Sequence, residues 1–131
     1  AGAEYGAKTG RPRRVGPIDL VATRYGVETQ AATAIALTKL DVLSYLKEIP
    51  ICAHYELDGQ ITREFPFPAR LPDAKPVFET MPGWQCDISA ARTWEDLPQA
   101  ARDYVEYVEK AIGCRIAYVS VGAERESIIL R

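Results

Sequence analysis

Arg11, Arg13 and Arg14 put three guanidinium groups within four residues, directly after Thr9-Gly10. Arginine presents a planar fork of donors that meets a carboxylate or a phosphate two bonds at a time, and Gly10 lets the backbone come close to whatever is bound. Pro12 removes one backbone donor and stiffens the run between Arg11 and Arg13. Such a run can clamp an anion; a solvated tail or a non-specific contact with a polyanion has the same spacing. A second cluster, Thr38-Lys39-Leu40-Asp41, follows the apolar run Ala34-Ile35-Ala36-Leu37, the pattern of a doubly covered internal strand opening into a loop. A third, Ser120-Val121-Gly122, ends another apolar segment. Loops at the carboxyl ends of parallel strands share one crevice, so the second and third clusters would meet at one edge of a sheet.

The TKxD form of residues 38–41 is similar to the guanine-reading motif of GTP-binding proteins. One carboxylate accepts from both the N1 hydrogen and the exocyclic amino group of guanine, a pair of donors that adenine does not present in the same place. The aliphatic stem of the lysine can lie along the base plane meanwhile. Loss of such a charged contact costs on the order of 2–3 kcal/mol, enough for discrimination of about a hundredfold. A lysine and an aspartate after a strand also make an ordinary surface pair, and the spacing alone leaves both readings open.

The other reactive side chains carry less. His54 shares a strand with Cys52 and Tyr55 but has no accompanying nucleophile pattern, and reads as structural. Cys52, Cys86 and Cys114 are odd in number and far apart, and His54 is the single histidine. Neither a disulfide framework nor a zinc site is indicated, and the thiols read as reduced and cytosolic. Trp84 and Trp94 read as packing anchors. Neither GxxxxGK[ST] nor GxGxxG occurs, so no phosphate-cradling loop of a recognised type is present.

The elements that must position these clusters alternate between helix and strand. Asp19 is a candidate cap for a short helix through about Glu28, with Gly26 weakening it. Arg115 to Val121 predicts a strand and Ser127 to Leu130 a last one, with a parallel portion around residues 34–38 and 115–120. Ser44 to Glu48 predicts a helical turn and residues 49–57 a strand. Asp58-Gly59 is a two-residue hairpin signal between alternating Ile51, Ala53, Tyr55 and Ile61, Arg63, Phe65. Pro66, Pro68, Pro72 and Pro76 predict an irregular excursion ending in a short strand at Val77-Phe78-Glu79, followed by a turn at Met81-Pro82-Gly83-Trp84. From Asp96 as cap, Leu97, Ala101, Tyr104, Val105, Val108, Ala111 and Ile112 fall at helical spacing, and Gly113 supplies the stop. The class is α/β: a mixed sheet with parallel strands flanked by helices, plus an antiparallel hairpin.

With 131 residues and 47% hydrophobic content the chain suffices for one domain, and a chain of this size buries roughly two thirds of its unfolded surface. The net charge of -2 and pI near 5.5 argue against a nucleic-acid binder. The charge is uneven: residues 1–24 carry five cations and two anions, a local +3 on an acidic body. No apolar run approaches the roughly 20 residues that span a bilayer. The opening Ala-Gly-Ala-Glu-Tyr-Gly has no signal-peptide core, and without an initiator Met the glycine-rich start reads as the inside of a loop in a longer protein.

Five segments in order, Gly6-Ala7-Lys8-Thr9-Gly10-Arg11-Pro12-Arg13-Arg14, Leu37-Thr38-Lys39-Leu40-Asp41-Val42-Leu43, Glu79-Thr80-Met81-Pro82-Gly83-Trp84, Leu97-Pro98 and Ser120-Val121-Gly122, closely resemble the C-terminal part of the adenylosuccinate synthetase family. The resemblance runs over nearly the whole chain and implies a piece, residues 1–131, of a larger P-loop-like enzyme. That family joins IMP and L-aspartate at the expense of GTP, through a 6-phosphoryl-IMP intermediate, to give adenylosuccinate, GDP and phosphate in AMP synthesis. It also implies Mg²⁺, a cytoplasmic location and a homodimer for the full-length enzyme.

By this resemblance Ala7, Lys8, Thr9, Gly10, Arg11 and Arg13 belong to the loop that closes over aspartate. Thr9 and Gly10 hold substrate-binding positions, Arg11 contacts aspartate and the IMP ribose, and Arg13 bridges aspartate and the nucleotide phosphates. Lys39, Leu40 and Asp41 form the guanine-binding loop, and Ser120, Val121 and Gly122 a second guanine-contacting loop. Lys8 stands where the family commonly has a second threonine, Pro17 replaces a usual aromatic and Ala123 a usual proline. The family's GDEGKGK loop, its catalytic Asp and His and its Mg²⁺ ligands belong to an N-terminal portion with no counterpart here, so the chain by itself is expected to be inactive. A stand-alone guanine-nucleotide or anion-binding module, and a structural domain with vestigial motifs, are the alternatives.

Overall fold

A computed structural model of the chain describes residues 4–131; Ala1, Gly2 and Ala3, the start of the expected glycine-rich loop, lie outside the described residues. Asp19 caps the first helix as its position predicts. Its Oδ1 accepts from Ala22 N at 3.0 Å, and α1 runs Leu20–Thr29 directly after the two-residue strand β1, Ile18–Asp19.

The expected parallel pair is present but short: β2, Ile35–Leu37, lies parallel to β6, Ile116–Ser120, and β7, Ile128–Leu130, is antiparallel to β6. This three-stranded sheet is separate from a second one, which carries the antiparallel hairpin. The strand β2 is not doubly covered. It pairs only with β6 among the described residues, and Ala36 is exposed, because the strand is an edge and its apolar run serves one face. Registered beside Ala36 on β6 is Tyr118, and beside Tyr118 on β7 is Leu130, both exposed. Val119 and Ile129, on the opposite face, are fully buried.

The second sheet is organised on β3, Glu48–Leu57. β1 pairs parallel to it at Ile51 and Cys52, and the hairpin return β4, Gln60–Thr62, pairs antiparallel at Tyr55 to Leu57. Asp58 and Gly59 have φ of 53° and 77°, the two positive values that a tight hairpin turn with right-handed strand twist needs. β5, Lys75–Pro82, is longer than the three residues expected and pairs antiparallel along β3 from Glu56↔Lys75 to Glu48↔Pro82. Met81 and Pro82 therefore end a strand instead of making a turn; at the last position the missing proline N–H breaks nothing within the ladder.

The second helix, α2, spans Gln99–Ile112 and buries Ala101, Tyr104, Val105, Val108 and Ile112 on one stripe. Its cap is Pro98, not Asp96. Asp96 Oδ2 accepts from the backbone N–H groups of Arg92 at 3.0 Å and Thr93 at 2.9 Å, so this carboxylate closes the preceding turn and is held below the usual aspartate range by those two donors. Gly113 ends α2 at φ 67° with its N–H on Glu109 O, as expected. The α2 stripe shares one core with Ile49 and Ile51 of β3 and with Ile116 and Val119 of β6, and so joins the two sheets. Each such side chain contributes about 1.5–3 kcal/mol by burial.

Candidate functional site

The helical turn expected at residues 44–48 lies earlier, as a 3-10 turn Leu40–Leu43 inside the Thr38-Asp41 cluster. Lys39 enters it with φ 63° and ψ 34°, a left-handed conformation that costs a non-glycine residue about 1–2 kcal/mol. Leu40 offsets this: its side chain is 1% exposed in the main core, which pins the turn. Val42 N–H donates to Lys39 O and Ser44 N–H to Asp41 O, closing the turn over that anchor.

Ser120-Val121-Gly122 is built the same way. Val121 is fully buried and donates its N–H to Ser127 O at 2.9 Å, while Ser120 Oγ donates to Gly122 O at 2.8 Å. A Cβ on Gly122 would stand 2.8 Å from Ser127 Oγ, so the loop is packed against the start of β7. A cavity of about 880 Å³ is lined by Thr38, Lys39 and Asp41 on one side and Ser120, Gly122 and Ala123 on another. The two strand-end loops thus meet as parallel pairing of β2 and β6 requires. Leu40 and Val121 do not line the cavity; their side chains hold the loops from behind.

The arginine segment folds back on itself. Tyr5 bridges Pro12, Gly6 N–H donates to Arg11 O at 2.9 Å, and Arg13 N–H donates to Glu4 O at 2.9 Å. Ala7, Lys8 and Thr9 form the exposed turn at the tip, which Gly10 leaves at φ 62°. Thr9, Arg11, Arg13 and Arg14 line a separate concavity of about 510 Å³. A carboxylate links it to the first cavity. Glu4 is ion-paired to Lys39 through Oε1 and to Arg13 through Oε2, the latter at 3.4 Å.

Tyr45 and the remaining wall of the larger cavity, Gln85, Cys86 and Asp87, belong to no motif legible in the sequence. This wall is fastened in three ways. Gly83 N–H donates to Lys47 O at 2.8 Å, Trp84 Nε1–H donates to Ser44 Oγ at 2.9 Å, and Asp87 Oδ1 accepts from Ser89 N–H at 2.9 Å. A Cβ on Gly83 would stand 1.9 Å from Leu46 O, so only glycine fits there. The one local trace was the Pro82-Gly83-Trp84 sequence, which reads simply as a turn.

His54 has a structural place. Its Nε2 accepts from Arg63 Nε at 2.8 Å and its Nδ1 lies 3.5 Å from Glu79 Oε1, across β3, β5 and the residues after β4. Cys52 and Cys114 are buried and Cys86 is exposed, and all three are free thiols. Among the described residues no group of three or more His, Cys, Asp or Glu side chains could hold a metal ion, and no helix is long and apolar enough to cross a membrane.

The family model described as adenylosuccinate synthetase matches residues 1–129. The chain belongs to that family. Among curated adenylosuccinate synthetases, that of Pelobacter propionicus is 50% identical over all of this chain, and that of Salinibacter ruber 48% identical over 98% of it. The chain spans 31% and 29% of their lengths. A solved structure, fully ligated adenylosuccinate synthetase from Plasmodium falciparum, superposes with a TM-score of 0.92 at 34% identity, covering 99% of this chain and 32% of that one. Both sheets and the two candidate loops therefore follow the adenylosuccinate synthetase fold, over about a third of the length of such enzymes.

Proposed function

We propose that this chain is the C-terminal portion of an adenylosuccinate synthetase and supplies its guanine-reading and aspartate-closing elements. The observation that carries the reading is the shared cavity. Lys39 and Asp41 face it from one strand-end loop, and Ser120 and Gly122 from the next. In this reading the Asp41 carboxylate takes the N1–H and amino group of guanine, and the Lys39 stem lies along the ring. Backbone groups of Ser120 to Gly122 complete the base contact. Thr9, Gly10, Arg11 and Arg13, with Ala7 and Lys8 at the tip, form the exposed loop that meets aspartate, IMP and the nucleotide phosphates.

The full-length enzyme then couples GTP to ligation of IMP and L-aspartate, in the cytoplasm and as a homodimer. Mg²⁺ belongs to that reaction, but the described residues supply no cluster to hold it. The chain contributes positively charged and base-reading groups; proton removal from IMP falls to residues outside it, so the isolated piece is inactive.

The test is Asp41→Asn in the full-length enzyme. An amide donates where xanthine presents an oxygen, so preference shifts from GTP toward XTP, with the GTP KM rising about a hundredfold. An unchanged preference excludes Asp41 as the base reader.

A further inference from the structure

The cavity that contains Lys39 and Asp41 also contains a second carboxylate, Asp87. Its position is constructed rather than incidental. Gly83 is locked against Leu46 O, Trp84 is tied to Ser44, and the Asp87 side chain is set by the Ser89 N–H at 2.9 Å. Donation from Ser89, by its backbone N–H first and its hydroxyl second, holds the Asp87 carboxyl below the usual aspartate range, so it is ionised at neutral pH.

An ionised carboxylate only accepts hydrogen bonds. A guanine nucleotide has few donors to offer it. The N1–H and amino group are taken by Asp41 in the reading above; O6, N7 and the phosphate oxygens are acceptors, which a carboxylate repels. The ribose 2′ and 3′ hydroxyls remain. We infer that Asp87 accepts from the ribose hydroxyls of the guanine nucleotide and is a specificity-determining residue for the sugar. This rests on the assignment of the cavity to guanine, and extends it to a wall that the motif loops do not include.

The experiment compares GTP, 2′,3′-dideoxy-GTP and ITP as substrates of the full-length enzyme carrying Asp87→Ala or Asp87→Asn. In the Ala variant the KM for GTP rises about tenfold, the value for one charged hydrogen bond of roughly 1.4 kcal/mol, while the KM for the dideoxy nucleotide changes less than about twofold. The Asn variant keeps an acceptor for Ser89 N–H, so the turn survives. It shows a smaller rise for GTP and a correspondingly smaller loss of discrimination, again with little change for the dideoxy nucleotide, and decides the question should the Ala variant fail to fold. Equal changes for GTP and dideoxy-GTP, no change for either, or lost discrimination against ITP, which lacks the 2-amino group, overturns the assignment. Asp41→Asn is measured in parallel. If it shifts base preference while Asp87 variants leave sugar preference intact, the ribose assignment alone falls; if neither variant moves its preference, the guanine reading of the cavity falls with it.

Discussion

The indole N–H of Trp84 and the hydroxyl oxygen of Ser44, 40 residues apart in sequence, are joined by a hydrogen bond of 2.9 Å. That bond ties the wall at residues 85–87 to the segment immediately after Lys39 and Asp41, and both line the same cavity. Trp84 is buried and also packs edge-on against Tyr104 of α2, with ring centroids 6.1 Å apart, so the wall is referenced to the core.

Ser44→Ala leaves the Trp84 N–H buried without its partner. The expected loss is about 1–3 kcal/mol of stability, the penalty for an orphaned buried donor. Urea unfolding read by tryptophan fluorescence measures it, with Ser44→Thr, which keeps the acceptor, as the comparison that retains most of the stability.

Glu4 ties Lys39 and Arg13 to one carboxylate, with Lys39 and Arg13 themselves half exposed. Exposed pairs of this kind contribute at most about 1 kcal/mol, so Glu4→Gln changes stability little. Removing a negative charge beside two cations nevertheless favours an anionic ligand. In the full-length enzyme GTP binds about threefold more tightly to the variant at low ionic strength. The gain disappears near 1 M salt, where screening acts over about 3 Å. Titration calorimetry at two salt concentrations reads both effects; equal affinities at low salt would exclude competition by Glu4.

Tyr55 donates its hydroxyl to Asp19 Oδ2 beneath α1, and desolvation together with that bond raises the phenol well above its ordinary value. Burial likewise pushes Tyr104 up to about 12. For both, the folded state keeps its proton after the unfolded chain has lost its own. Their contribution is therefore complete below the unfolded value of about 10 and declines as pH rises beyond it. Urea midpoints between pH 8 and about 11.5 should fall for the wild type, and fall less steeply for Tyr55→Phe, which starts lower because the bond to Asp19 is lost.

Local chemistry was legible wherever one stretch of chain determined the outcome. Asp19 announces its helix, Asp58-Gly59 its hairpin, and Gly113 the end of α2. The two strand-end loops were also legible, since each follows an apolar run whose pairing follows the α/β pattern. What failed depends on distant partners. The length of β5 is set by its register on β3, Asp96 serves a turn on its N-terminal side, and β2 is an edge because of which strands adjoin it. Gln85 to Asp87 carry no motif at all; their place follows from Gly83 meeting Leu46 and Trp84 meeting Ser44, contacts across some 40 residues of chain.

Leu40 sits between the two residues that face the larger cavity, and its burial has a kinetic consequence. Ordering a loop costs roughly 1–2 kcal/mol of backbone entropy per residue, and at Lys39 and Asp41 that entropy is surrendered when the core forms. On the reading proposed above, a guanine nucleotide meets at this turn a surface already in its final shape, and its observed association rate is expected to grow linearly with concentration, which stopped-flow binding to the full-length enzyme checks. The tip at Ala7, Lys8 and Thr9 has no such anchor in the core. Its turn is closed instead by backbone hydrogen bonds, Gly10 N–H to Gly6 O at 2.8 Å and Gly6 N–H to Arg11 O at 2.9 Å, so the two loops owe their shapes to different forces.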